Sequence, residues 1–261
     1  MKTRTTGVRI KDLSWQIGLV GAVLAAWQFN SLTNPAPYLP SLDRIATAYI
    51  RFLHGDILLG HVLPSIGRMS LGFLIGVAVG AAAGLVIGYV RWFEPWVRGV
   101  LEFGRSIPVI ALLPGALLIL GSTDLMRVSI IAFGCSFPVL LSAIDGARRV
   151  DSLLIETARI TGLRSRAVLF KVVAPAALPQ ILAGVRIALG LALIMMVISE
   201  MMAADNGLGY YIQQSQRLFQ SANVYAGVLI IGTLGFLFTA TILAIERRLL
   251  KWHRGWRGAN D

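Results

Sequence analysis

Residues 151–179 read D-S-L-L-I-E-T-A-R-I-T-G-L-R-S-R-A-V-L-F-K-V-V-A-P-A-A-L-P. Their chemistry is that of docking. Glu156 offers a carboxylate early in a short helix, where the helix dipole favours negative charge, and it can accept hydrogen bonds from another molecule. Ala158 is small enough for a partner surface to approach closely. Gly162 can take the left-handed conformation that ends a helix. Asp151 or Ser152 can cap that helix, and Leu154 and Ala158, four apart, share a face. A second short helix is expected from about Ser165, with Val168, Leu169, Val172 and Val173 on one side and Arg166 and Lys171 elsewhere. Pro175 should stop it, because the residue before a proline avoids the α region. Pro179 then suits the first turn of the next helix.

Catalytic patterns are absent from the sequence. The dipeptide Gly-Lys does not occur, so there is no G-x-x-x-x-G-K-[ST] cradle for ATP phosphates. No H-E-x-x-H occurs, His54, His61 and His253 are scattered, and no G-x-S-x-G elbow exists. The single cysteine, Cys135, lies in an apolar run and permits neither a disulfide within the chain nor a cysteine-based metal site. No enzyme and no metal site are expected. Two ionisable residues, Arg186 and Glu200, fall inside an apolar run, where charge is costly and commonly faces a bundle or water. Arg186 either guides an anionic substrate or snorkels to the interface. Glu200 either shapes an outer gate or reaches the outer surface.

These residues hang on membrane-grade elements. Of 261 residues, 56% are hydrophobic and 14% charged, with a mean hydropathy of +0.72; soluble domains carry about 25% charged residues. An all-α, polytopic membrane protein with six transmembrane helices is predicted. Residues 1–65 hold a first span, read as uncleaved because Trp15 and Trp27 flank it. They also hold a three-proline linker and a surface-lying amphipathic segment, residues 41–53, with Leu42, Ile45, Ala46 and Tyr49 on one face. Residues 66–250 form the main transmembrane domain, and 251–261 a basic tail. The later spans are placed at about 66–90, 107–120, 128–144, 180–202 and 225–245, with residues 91–105 as a basic loop and 205–221 as an external segment. Gly72, Gly76, Gly80, Gly84 and Gly88 recur every fourth residue, a ridge about 24 Å long at 1.5 Å per residue. It suits either close static packing or a sliding surface. Pro114 interrupts the third span, as a pathway lining or as a plain kink.

The net charge of +11 would suggest nucleic acid in a soluble protein, but the basic residues sit in short loops and no nucleic-acid motif accompanies them. With both ends inside, 18 Lys and Arg lie on the inner side and five on the outer, and Arg186 completes the 24. By the positive-inside rule the Glu156 loop and both termini are cytoplasmic.

Residues 151–179 resemble the EAA loop of ABC importer permeases: Glu-Ala-Ala, three residues, Gly, nine residues, Ile, one residue, Leu-Pro. Glu156, Ala158, Gly162 and Pro175 match at that spacing. Thr157, Val172 and Ala174 depart from it mildly. The following L-P-Q-I-L-A-G-V-R-I-A-L-G-L-A-L and G-L-G-Y-Y-I look like the sulfonate, taurine and nitrate branch, and the likeness covers roughly residues 39–252. It implies a subunit of the bacterial cytoplasmic membrane, working as a homodimer with two cytoplasmic ATPase subunits and an external substrate-binding protein. The chain itself carries no cofactor; ATP and Mg belong to the ATPase. Sulfonates, taurine, nitrate, thiamine precursors and aromatic acids all fit that branch. The rival reading is an ion-coupled secondary transporter, which needs mid-membrane acidic relays and often internal repeats, and neither is evident. A membrane protein of purely structural role is a third reading.

Overall fold

The computed structural model describes residues 10–250. The terminal basic residues Lys2, Arg4 and Arg9, and the 251–261 tail, lie outside the described residues. Among the described residues ten α-helices follow in order: α1 (Ile10–Thr33), α2 (Leu42–Phe52), α3 (Gly55–Tyr89), α4 (Glu94–Ser106), α5 (Leu113–Leu120), α6 (Asp124–Arg148), α7 (Ser152–Ile160), α8 (Ser165–Ala203), α9 (Leu208–Arg217) and α10 (Ser221–Leu249).

Four of these, α3, α6, α8 and α10, are long and apolar enough to cross a membrane. A fifth crossing arises if α4 and α5 count as one span, bent by 83° between Ser106 and Val109. The apolar part of α1, Ile17–Thr33, is shorter. The basic loop expected over residues 91–105 is instead a 3₁₀ turn followed by α4. Its exposed Trp92, Trp96, Val100 and Phe103 recur at helical spacing, which an apolar count alone does not separate from a loop with aromatic residues. The expected boundary between 65 and 66 falls inside α3, so the fold has no break there.

The core is α3 against α6 against α8. All five glycines of the ridge are buried on α3 and face α6. A methyl group on Gly76 would sit 2.5 Å from the Ala132 carbonyl oxygen, and one on Gly84 would collide with that of Leu140. No side chain fits such gaps, so glycine brings the two backbones into contact, and dispersion over that length holds the pair in lipid. On the far side of α6, Gly184 of α8 meets Ser142 and Gly146 meets Ala177. Ile131, Cys135, Val139, Ala143, Ala188 and Ala192 fill the space between.

Two prolines expected to end or begin helices do neither. Pro175 does not stop a short helix; α8 runs through it from Ser165 to Ala203, and Pro179 lies inside it. A proline lacks an N–H and its ring collides with the carbonyl four residues back. That carbonyl belongs to Lys171, within a widened π turn at Leu169–Val173, where the helix takes up the missing bond without breaking. In α3 the same device recurs: Pro64 follows a π turn at Leu58–Val62. The amphipathic α2 buries Ile45, Ala48 and Phe52 and packs on α10. Its inward face is thus turned from the expected one, leaving Ala46 exposed.

Candidate functional site

Two polar constellations sit near opposite ends of α8. The first is the loop carrying Glu156. Asp151 caps α7, its carboxylate accepting from the Leu153 N–H at 2.9 Å. Gly162 ends the helix with φ +86°, and the Leu163 N–H donates back to the Ala158 carbonyl at 3.1 Å, which closes the turn. A Cβ would make this backbone strained. Ala147, Val150, Ala158, Val168 and Val173 form a small apolar core beneath it. Ala158 therefore points into its own chain, and it is not the open contact expected from its size. Leu154, expected on the same face, is exposed. The outward face comprises Glu156 and Thr157 with Leu153, Leu154 and Ile160; Ile160 is 86% exposed. Beside it an open groove is lined by Tyr89, Trp92, Ile155, Glu156 and Arg159. Pro175 lies beyond the loop, within α8, next to the buried Val173. Such a surface, apolar with one carboxylate and basic edges, can receive a protein partner; it holds no group placed to break a bond.

The second constellation surrounds Glu200, which does not reach the surface: it is 1% exposed. The Ser65 hydroxyl of α3 lies 2.8 Å from both carboxylate oxygens. Arg68 Nη1 donates to Oε1 at 3.1 Å and the Gly209 N–H to Oε2 at 3.0 Å. Arg68 also holds the Asn206 carbonyl through Nη1 and the Asn206 amide oxygen through Nη2. Its Nε donates to Asp124 Oδ1 at 2.8 Å, which also accepts from Arg127 Nη1 at 2.8 Å. Arg127 reaches Ser122 and the carbonyl of Ala203. Leu208 N–H donates to Ser65 Oγ at 2.8 Å, and Gly207 N–H to His61 Nδ1 at 3.2 Å. Two guanidiniums thus balance two carboxylates within one knot, as buried charges require.

Counting charges by side of the membrane hides this knot, since it places Arg68 and Arg127 among the five basic residues of the outer side. The available signal was depth: Arg68 falls just inside its span, and Glu200 just inside the far end of another, so opposite charges share one level. Arg186 neither floats free nor joins the knot; it pairs with Glu246 of α10 at 3.5 Å and is 46% exposed. Pro114 lies on the exposed side of α5, in its first turn.

Comparison with known proteins agrees along nearly the whole chain. The family model for binding-protein-dependent transport system inner membrane components matches residues 57–251. SsuC of Bacillus subtilis (strain 168), named for aliphatic sulfonates transport, is 32% identical over 265 residues, covering 98% of this chain and 96% of that one. The taurine transport system permease TauC of Escherichia coli (strain K12) is 34% identical over 164 residues, 61% of this chain and 60% of its own. Among solved structures, a chain of the MetNI methionine ABC transporter in an inward-facing conformation superposes with a TM-score of 0.62 at 21% identity, covering 74% of this chain and 95% of that one. That likeness speaks for the fold.

Proposed function

The chain belongs to the binding-protein-dependent transport system inner membrane components, and from that premise we propose that it carries small sulfonates, taurine among them, across the membrane. As a member of that family it is a multi-pass permease subunit of an ABC importer, not the ATPase itself, and it works with ATPase and binding-protein partners. The ion-coupled alternative loses its basis with that membership. The observation that carries the sulfonate reading is the 32% identity to SsuC across 98% of this chain.

Six spans, α1, α3, α4 with α5, α6, α8 and α10, place both termini and the Glu156 loop in the cytoplasm, a topology supported by the Lys and Arg distribution. Two copies form the pathway and two ATPases bind beneath. Glu156 and Thr157 meet the ATPase; Ala158 and Gly162 shape the loop that presents them; Pro175 sets the π turn through which the loop joins α8. Pro114, on the open face of α5, is the pathway candidate. ATP and Mg act on the ATPase, whose closure the loop passes to the spans. A ligand shifts such an equilibrium only by preferring one state.

The test is reconstitution in proteoliposomes with the ATPase and the binding protein. Taurine or a short alkanesulfonate should accumulate only with ATP, and the chain alone should hydrolyse none. ATP-independent accumulation breaks the importer reading. ATP-driven uptake of nitrate or an aromatic acid without sulfonate uptake breaks only the substrate assignment.

A further inference from the structure

We propose that Glu200, Arg68, Ser65 and Asn206 form a latch that fastens α9 to the outer end of α8, so that movement of the Glu156 loop is delivered to the external face. The inference rests on the importer reading above.

The 39 residues of α8 make a rod about 58 Å long at 1.5 Å per residue. It starts at Ser165, inside the docking loop, because Pro175 does not interrupt it. It ends at Ala203, three residues past Glu200. Beyond that the chain leaves helical geometry: Ala204 is extended and Gly207 has φ +112°. Left to itself, a short turn with a glycine would let α9 swing independently of the rod.

Glu200 prevents this by reaching over the turn. Its carboxylate takes the Gly209 N–H, and the turn lies so close that a Cβ on Gly207 would be 2.5 Å from the Glu200 carboxyl carbon. Arg68 and Ser65 grip Asn206 and the Leu208 N–H from α3. The N-terminus of α9 is therefore tied to two core helices at once. Its other side touches the outer layer: Ile212 fills the space over Gly227 of α10, and Tyr211 packs edge-on against Phe52 of α2 at 4.8 Å. Thus α9 bridges the rod and the α2–α10 layer. A buried ion pair suits such a joint. It adds little net stability over apolar packing, but a misplaced or unpaired charge is penalised steeply, so the joint holds one geometry or fails. The charges within the knot balance, which leaves no surplus to hold a free ion.

The experiment uses the full complex of permease, ATPase and binding protein in proteoliposomes. A fluorophore is placed at Gln214→Cys, on the exposed side of α9, in a Cys135→Ala background that removes the one native cysteine. In the parent the emission should shift on ATP–vanadate trapping. In Glu200→Gln that shift should fall by at least half, while ATP hydrolysis with loaded binding protein stays above half and sulfonate uptake per ATP drops about tenfold, a size usual for coupling between sites. Arg68→Lys keeps the charge but loses the fork and should lie between; if Glu200→Gln does not reach the membrane, Arg68→Lys is judged by the same three readouts. A parent-like shift and uptake per ATP in the variants overturn the latch. So does a parallel fall in membrane level, hydrolysis and uptake, which marks a merely structural knot. A parent that takes up sulfonate with an unmoved label also overturns it, whereas a parent without ATP-driven uptake breaks the functional reading instead.

Discussion

At its Glu200 end α8 is held by charge: four ionised groups from α3, α6 and α8, three of them buried, joined by hydrogen bonds to the turn that leads into α9. At its Ser165 end the same helix is held by a small apolar core of five residues and one glycine turn, with most of α7 left uncovered. The difference suits what each end is proposed to meet. A knot in which both Glu200 carboxylate oxygens and every Arg68 guanidinium nitrogen are engaged favours one arrangement. A loop with a thin core and an open face leaves Leu153, Leu154, Glu156, Thr157 and Ile160 uncovered, the surface that the proposed ATPase contact would use. Between these ends α8 packs on α6 through a seam of small residues, Gly184 against Ser142 and Ala177 against Gly146.

The sharpest way to break this contrast is to remove one member of the knot. Glu200→Ala leaves Arg68 with only the exposed Asp124 carboxylate as a counter-charge, and removing one partner of a buried pair costs about 3–5 kcal/mol. Membrane accumulation and the thermal midpoint of the purified complex should both fall. A midpoint within a degree or two of the parent would mean that water already satisfies Arg68. Next comes the seam. Gly84→Leu drives a side chain against the Leu140 carbonyl, and overpacking of that kind costs roughly 1–3 kcal/mol or more; yield of assembled complex should drop, and unchanged yield would mean that α3 and α6 separate without penalty.

The loop should behave differently. Gly162→Val strains a residue at φ +86° by about 1 kcal/mol or more and tilts α7 without touching the spans. Membrane level should stay near the parent, while ATPase co-purification and uptake fall several-fold. Equal values for all three would remove this loop from the coupling path. The smallest effect is expected at the tie between α8 and α10. Arg186→Ala breaks a half-exposed pair with Glu246 that solvent screens to about 0–1 kcal/mol. Stability and uptake should change by less than twofold, and a large loss of uptake with normal stability would restore Arg186 as an anion guide.

Much of this was legible in the chain. The spacing Gly72 to Gly88 announced a seam, because only glycine recurring each helical turn lets two backbones touch in lipid. The Glu156 loop announced itself by composition, a basic amphipathic interruption between apolar runs, with Asp151 and Gly162 at its helix ends. Other features were not legible, for reasons that are local. Pro175 reads as a stop since a proline removes one hydrogen bond, and no short-range pattern says that a π turn will absorb the loss. Residues 91–105 read as a loop since charged and aromatic residues mix there. Ala158 reads as a contact since smallness fits a partner and a core equally well.

What the sequence determined by itself, then, is the all-helical membrane character of the chain, the helix ends of the Glu156 loop, the absence of a phosphate cradle and the glycine seam, all properties of composition and of spacing within one helix. What only the tertiary structure decided is partnership between helices. Glu200 and Arg68 are 132 residues apart, and no local periodicity ties one to the other. Their pairing exists because the seams between α3, α6 and α8 fix the helices at one relative height, which brings two costly charges to the same depth, where each becomes the other's solvent.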